Sequence, residues 1–73
     1  MANMAFVVCI RNEGFEASLE PRKLYQLVSD HQAATRGLVR VVDESGDDYL
    51  YPSDYFVPVD LPKVLAVALV DAA

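Results

Sequence analysis

LVRVVDESGDDYLYPSDYFVPV, residues Leu38 to Val59, holds the clearest turn in the chain. Two runs rich in β-branched and aromatic residues, Leu38 to Asp43 and Asp48 to Tyr51, flank Glu44-Ser45-Gly46-Asp47. That pattern predicts a β-hairpin with Gly46 at a positive-φ position, where a side chain would be strained. Pro52 cannot donate to a sheet ladder, so it ends the second strand or puts it at an edge. Ser53-Asp54-Tyr55 then reads as a tight turn of 3₁₀ character, and Phe56 to Val59 as a last short strand.

Working outward, Ala5 to Arg11 is a short run dense in β-branched residues and reads as a buried first strand closed by Asn12-Glu13-Gly14. Phe15 to Pro21 lacks periodicity and reads as a long excursion, with Phe15 and Leu19 tucking back onto the core. Lys23 to Ser29 alternates and predicts a second strand. Ser29-Asp30 offers a helix N-cap for one or two turns over His31 to Arg36, and Gly37 a terminator. Asp60 can cap a closing helix with Leu61 and Pro62 in its first positions. In that helix Leu61, Val64, Leu65, Ala68, Leu69 and Ala72 make one apolar stripe, with Val67 and Val70 off it. Four or five short strands, with one long early excursion and a 3₁₀-like turn before the last strand, are the layout of a small, partly open β-barrel. The extra apolar surface of the helix is read as a clamp over the open end of that barrel or as a contact with a second chain.

Seventy-three residues make a single domain, near the lower limit for an unstapled hydrophobic core. The expected division is a barrel over about 4–59 and a helix over about 61–72. An apolar fraction of 53% argues for a folded globule without room for a deep catalytic cavity. The single cysteine, Cys9, excludes an internal disulfide and a multi-cysteine metal site, and reads as a small buried hydrophobe. Eleven acidic and six basic side chains give a net charge of −5, which disfavours nucleic acid and anionic membrane surfaces. No run reaches the roughly 18 apolar residues of a membrane span. Met1 to Ile10 lacks the charged segment of a secretory signal, so a cytoplasmic protein is expected.

Pro52-Ser53-Asp54-Tyr55-Phe56 resembles the P-S-N-Y-V signature of SH3 domains, which occupies the 3₁₀ turn and final strand of that barrel. The segment DESGDDYLYP is also similar to small bacterial proteins of SH3-like build whose role is not assigned. The resemblance implies a mainly β fold: an SH3-like, partly open barrel of about five strands with a short C-terminal helix. It also implies that Pro52 and Tyr55 lie on a face that receives peptides in polyproline II conformation. The chain has no tryptophan and no A-L-Y-D-Y motif, so the usual proline slot lacks a wall.

The expected role is a non-enzymatic interaction module binding a protein or peptide through Tyr49, Tyr51, Pro52 and Tyr55, framed by Asp47, Asp48 and Asp54. If Leu50 is inside, Tyr49 and Tyr51 stand outside; otherwise the rings pack under the closing helix. The alternative role is assembly, with Leu61, Val64, Val67 and Val70 forming a homodimer or docking interface. Asp43, Glu44, Asp47, Asp48 and Asp54 do not match the spacing of a calcium loop and read as a solvated acidic turn. Arg40 is expected to pair with one of them. His31, the one histidine, has no nucleophile marked out by spacing, and Gly14, Gly37 and Gly46 form no phosphate loop. Neither cofactor nor metal is expected.

Overall fold

The structure, a computed structural model, describes residues 5–71. Its strands are β1 (Ala5–Cys9), β2 (Leu24–Val28), β3 (Leu38–Val42), β4 (Asp48–Pro52) and β5 (Phe56–Val59). A short helix α1 (His31–Thr35) links β2 to β3, a 3₁₀ turn (Ser53–Tyr55) links β4 to β5, and helix α2 (Lys63–Asp71) follows. The strands form one open antiparallel sheet in the order β4-β3-β2-β1-β5, leaving β4 and β5 as its edges. The described residues are thus mainly β, with five strands and a short C-terminal helix.

Strand periodicity builds the core. Val7 and Cys9 of β1, Tyr25 of β2, Val41 of β3 and Tyr51 of β4 are all odd-numbered and all buried, because alternate side chains of paired strands share a face. Phe56 and Leu19 complete this cluster, and Phe15, Leu27, Val39 and Tyr55 pack against it. The rings of Tyr51 and Phe56, from the two edge strands, lie 6.3 Å apart, so the sheet curls both edges toward the same core. Cys9 is fully buried, with its thiol donating to the Arg11 carbonyl. Burial is the main cause that raises the Cys9 pKa, which keeps it a thiol.

The excursion between β1 and β2 folds back onto the core side of the sheet. Leu19 is 1% exposed, and Asn12 Nδ2 holds its carbonyl at 3.0 Å. Arg22 N–H donates to the Cys9 carbonyl and Cys9 N–H to the Lys23 carbonyl, which brings the chain back into register with β1. Asp30 caps α1, its Oδ1 accepting from the Ala33 amide at 3.0 Å, and Gly37 leaves the helix with φ 70°. Gly46 takes φ 88° in the hairpin turn. That turn starts one residue earlier than the sequence suggests, because Asp43 folds into it and accepts hydrogen bonds from Ser45.

The closing helix departs from expectation in start and orientation. It begins at Lys63, with the Ala66 amide donating to the Pro62 carbonyl, so Leu61 and Pro62 precede it. Ala66 is its buried residue and Val70 is half-buried, whereas Val64, Leu65 and Leu69 of the expected inner stripe are exposed; Ala72 lies outside the described residues. Every side chain from Val64 to Val70 is apolar, so no polar face fixes the helix rotation and fit to the sheet decides it. Phe6 points away from the core yet is buried, and it lines a cleft with Leu24, Gln26, Leu69 and Val70. Leu69 and Val70, in the last turn of α2, thus share this cleft with residues of β1, β2 and the β3–β4 hairpin turn.

Candidate functional site

The β3–β4 hairpin positions most of the residues expected to bind a partner, and it divides them. Val41 is fully buried and pairs with Tyr49, while Val39 pairs with Tyr51, so both tyrosines lie on the core side of β4. Leu50 points the other way and is 39% exposed, which decides the alternative that the sequence leaves open: the tyrosine side of β4 is the inner one. Tyr51 is 3% exposed and contacts Phe15 edge to face at 5.0 Å, instead of lying under α2. Tyr49, beyond the end of the core, is 52% exposed.

Tyr55 is half-buried and occupied. Its hydroxyl donates to the Glu13 carbonyl at 2.8 Å, its ring meets Phe15, and the Arg11 guanidinium sits 5.0 Å from its centroid. Arg11 also pairs with Glu13 at 2.9 Å and approaches Asp54 at 3.6 Å. The 3₁₀ turn thereby ties the β1–β2 excursion to the end of the sheet. Pro52 is half-buried at the end of β4, and Ser53 N–H donates to the Gly37 carbonyl. Tyr49, Tyr51, Pro52 and Tyr55 are thus not one open face: Tyr49 and Leu50 present surface, Tyr51 is core and Tyr55 is a clasp.

The acidic turn is only partly solvated. Asp43 is 7% exposed; its Oδ2 accepts from the Tyr51 hydroxyl at 2.5 Å and its Oδ1 from the Ser45 hydroxyl at 2.5 Å. Burial pushes its pKa up, but the Ser45 and Tyr51 donors outweigh that and hold it below the usual value. Glu44 accepts from the Tyr25 hydroxyl at 2.6 Å and meets Lys23 Nζ at 2.6 Å, and these two donors lower its pKa. Burial, then Glu44, raises that of Tyr25. Two tyrosine hydroxyls thus pin the turn to the body. Sequence spacing gave no sign of this, because Tyr25 and Glu44 lie nineteen residues apart.

Asp47 and Asp48 are exposed at the start of β4. Arg40 bridges Asp48 at 3.2 Å and Asp30 at 3.0 Å, as expected of its place opposite the acidic turn. His31 lines a shallow depression of about 210 Å³ with Ser29, Asp30 and Arg40. Both Asp30 oxygens are engaged there, by the Ala33 amide and by Arg40 Nε. Among the described residues no three His, Cys, Asp or Glu side chains gather as metal ligands. No helix among them is long and apolar enough to cross a membrane.

The second candidate surface is α2. Val64 is 83% exposed, Leu65 43%, Val67 37% and Leu69 36%, whereas Leu61 and Val70 are half-buried. Of the four residues expected at an assembly interface, Val64 and Val67 face outward and Leu61 and Val70 lean toward the body. No family model, curated protein or solved structure matches this chain.

Proposed function

We propose that this chain is a small, non-enzymatic protein-interaction module of SH3-like build that self-associates through the outer face of α2. The long excursion after the first strand and the 3₁₀ turn between the last two strands support the SH3-like reading. The observation that carries self-association is the exposure of Val64, Leu65, Val67 and Leu69 on one nine-residue helix. A helix this short gains little stability on its own in water and depends on packing of its apolar surface. Between Lys63 and Asp71 the helix has no charged residue, so two chains of net charge −5 can meet there without close like charges. Light scattering over a concentration series tests this. The wild type should shift from monomer to dimer, and Val67→Asp should remain monomeric with an unchanged fold, since exposed positions tolerate substitution within about 0.5 kcal/mol. A wild type that stays monomeric at high concentration refutes it.

A second reading is that the hairpin side binds a peptide. It is favoured by the exposure of Tyr49 and Leu50 beside Asp47 and Asp48. Tyr49 and Leu50 line a shallow depression of about 400 Å³ with Phe15 and Ser18.

A further inference from the structure

The two sheet edges differ in what their main chains offer. On β5, the Ile10 amide donates to the Tyr55 carbonyl, which sets the ladder so that Val57 and Val59 turn their main chains toward β1. Phe56 and Pro58 therefore face outward. The Phe56 amide is already bonded to the Ser53 carbonyl, and Pro58 has no N–H. This edge has no outward donor within the strand, which is how natural sheets close an edge to further pairing.

On β4 the register gives the opposite result. Asp43 N–H donates to the Asp47 carbonyl and Ser53 N–H to the Gly37 carbonyl, so Tyr49 and Tyr51 bond to β3 while Asp48, Leu50 and Pro52 face outward. Among the described residues no strand pairs with this side of β4. Asp48 and Leu50 are exposed and each presents an N–H and a carbonyl; Pro52 presents a carbonyl alone and closes the edge at that end. We propose that the outer edge of β4, from Asp48 to Pro52, takes an extended basic segment of a partner protein as a sixth strand.

Charge selects that occupant. Asp47 and Asp48 stand at the open end of the edge, and Asp54 lies just past its closed end. Arg40, the nearest cation on β3, is shared between Asp30 and Asp48, which leaves Asp47 without an ion-pair partner among the described residues. A second copy fits less well. Pairing two β4 strands about Leu50 would set each Asp48 carbonyl against a proline that cannot donate, and would bring Asp47 and Asp48 of one copy near Asp54 of the other. A heterologous strand with Lys or Arg near Asp47 and Asp48, and apolar side chains beside Tyr49 and Leu50, meets both conditions. This inference stands on the edge alone and does not depend on self-association through α2.

A display library of random ten-residue peptides, selected on the whole chain, tests it. The enriched peptides should alternate apolar and basic residues, and amide NMR should show the Asp48 and Leu50 amides protected from exchange on binding. Leu50→Pro removes an outward N–H without touching the β3 ladder, and should weaken binding about tenfold. A synthetic chain N-methylated at Leu50 makes the same deletion if the proline variant fails to fold. Asp47→Lys should weaken binding and reduce its salt dependence. The proposal is overturned if nothing is enriched, if peptides bind both Leu50 variants undiminished, or if the edge is protected by a second copy. Loss of binding on Val67→Asp, with no effect of Leu50→Pro, would move the site to α2 and also overturn it.

Discussion

Replacing Tyr51 by Phe removes one oxygen from the core and tests whether the hairpin turn is held through Asp43. In the native chain the Asp43 carboxylate accepts from the Tyr51 hydroxyl at 2.5 Å, the Ser45 hydroxyl at 2.5 Å and the Ser45 amide at 2.8 Å. The variant keeps the ring contacts with Phe15 and Phe56, so the apolar packing is preserved. What is lost is a hydrogen bond to a charged, buried acceptor, worth about 1.5–3 kcal/mol. Domains are stable by roughly 0.05–0.15 kcal/mol per residue, so this is a large fraction of the total for a chain of this size. The thermal midpoint should fall by about 10 °C.

The same substitution has a signature in pH. Burial raises the Asp43 pKa and its donors lower it, with a net depression in the folded chain. A depressed folded pKa adds stability that is present above the unfolded pKa and lost as pH falls through the folded one. Without the Tyr51 donor the folded pKa rises, so acid unfolding should begin at a higher pH in the variant. The stability gap should narrow below the ordinary carboxylate range. Urea melts at neutral pH and at about pH 3 measure both effects. A gap under about 0.5 kcal/mol at neutral pH, or one that does not change with pH, would refute the role given to this pair.

Asp30→Ala should loosen α1 by removing both its cap and a partner of Arg40, lowering the thermal midpoint by a few degrees. Hydrogen exchange at the Ala33 and Ala34 amides should speed up, and Asp30→Asn should restore the cap alone. Arg22 follows Pro21 in a turn and holds φ 69°, a conformation that costs a side-chain-bearing residue about 1–2 kcal/mol. Arg22→Gly should therefore stabilise the chain by up to about 1 kcal/mol, since glycine's added chain entropy offsets part of the relief. A destabilised glycine variant in a urea melt would refute this.

Much of the fold was legible because its signals are local. Gly46 in the turn, Pro52 at the end of an edge strand, the 3₁₀ turn at Ser53-Asp54-Tyr55 and the span of β5 each follow from the conformational limits of a few adjacent residues. Phe15 and Leu19 were legible for another reason: large apolar side chains in an otherwise polar excursion have only the core to bury against. The Asp30 cap and the Arg40 ion pair likewise needed only short-range chemistry.

The candidate site was less legible because it depends on register and on contacts distant in sequence. Alternation showed that Tyr49 and Tyr51 share a face opposite Leu50, but only pairing with the buried Val41 decides that this face is the inner one. The engagement of Tyr55 by Glu13 and of Tyr25 by Glu44 joins residues that only folding brings together. Along α2 an all-apolar run left the rotation undetermined, and in the fold Ala66 and Val70 form the inward side, with Val70 in the cleft beside Phe6. The sequence by itself determined the order of the strands, turns and helices and their bounds to within a residue or two, because backbone preferences act over a few residues. The tertiary structure alone decided which tyrosine is surface and which sheet edge is open, because those depend on the pairing of strands far apart in the chain.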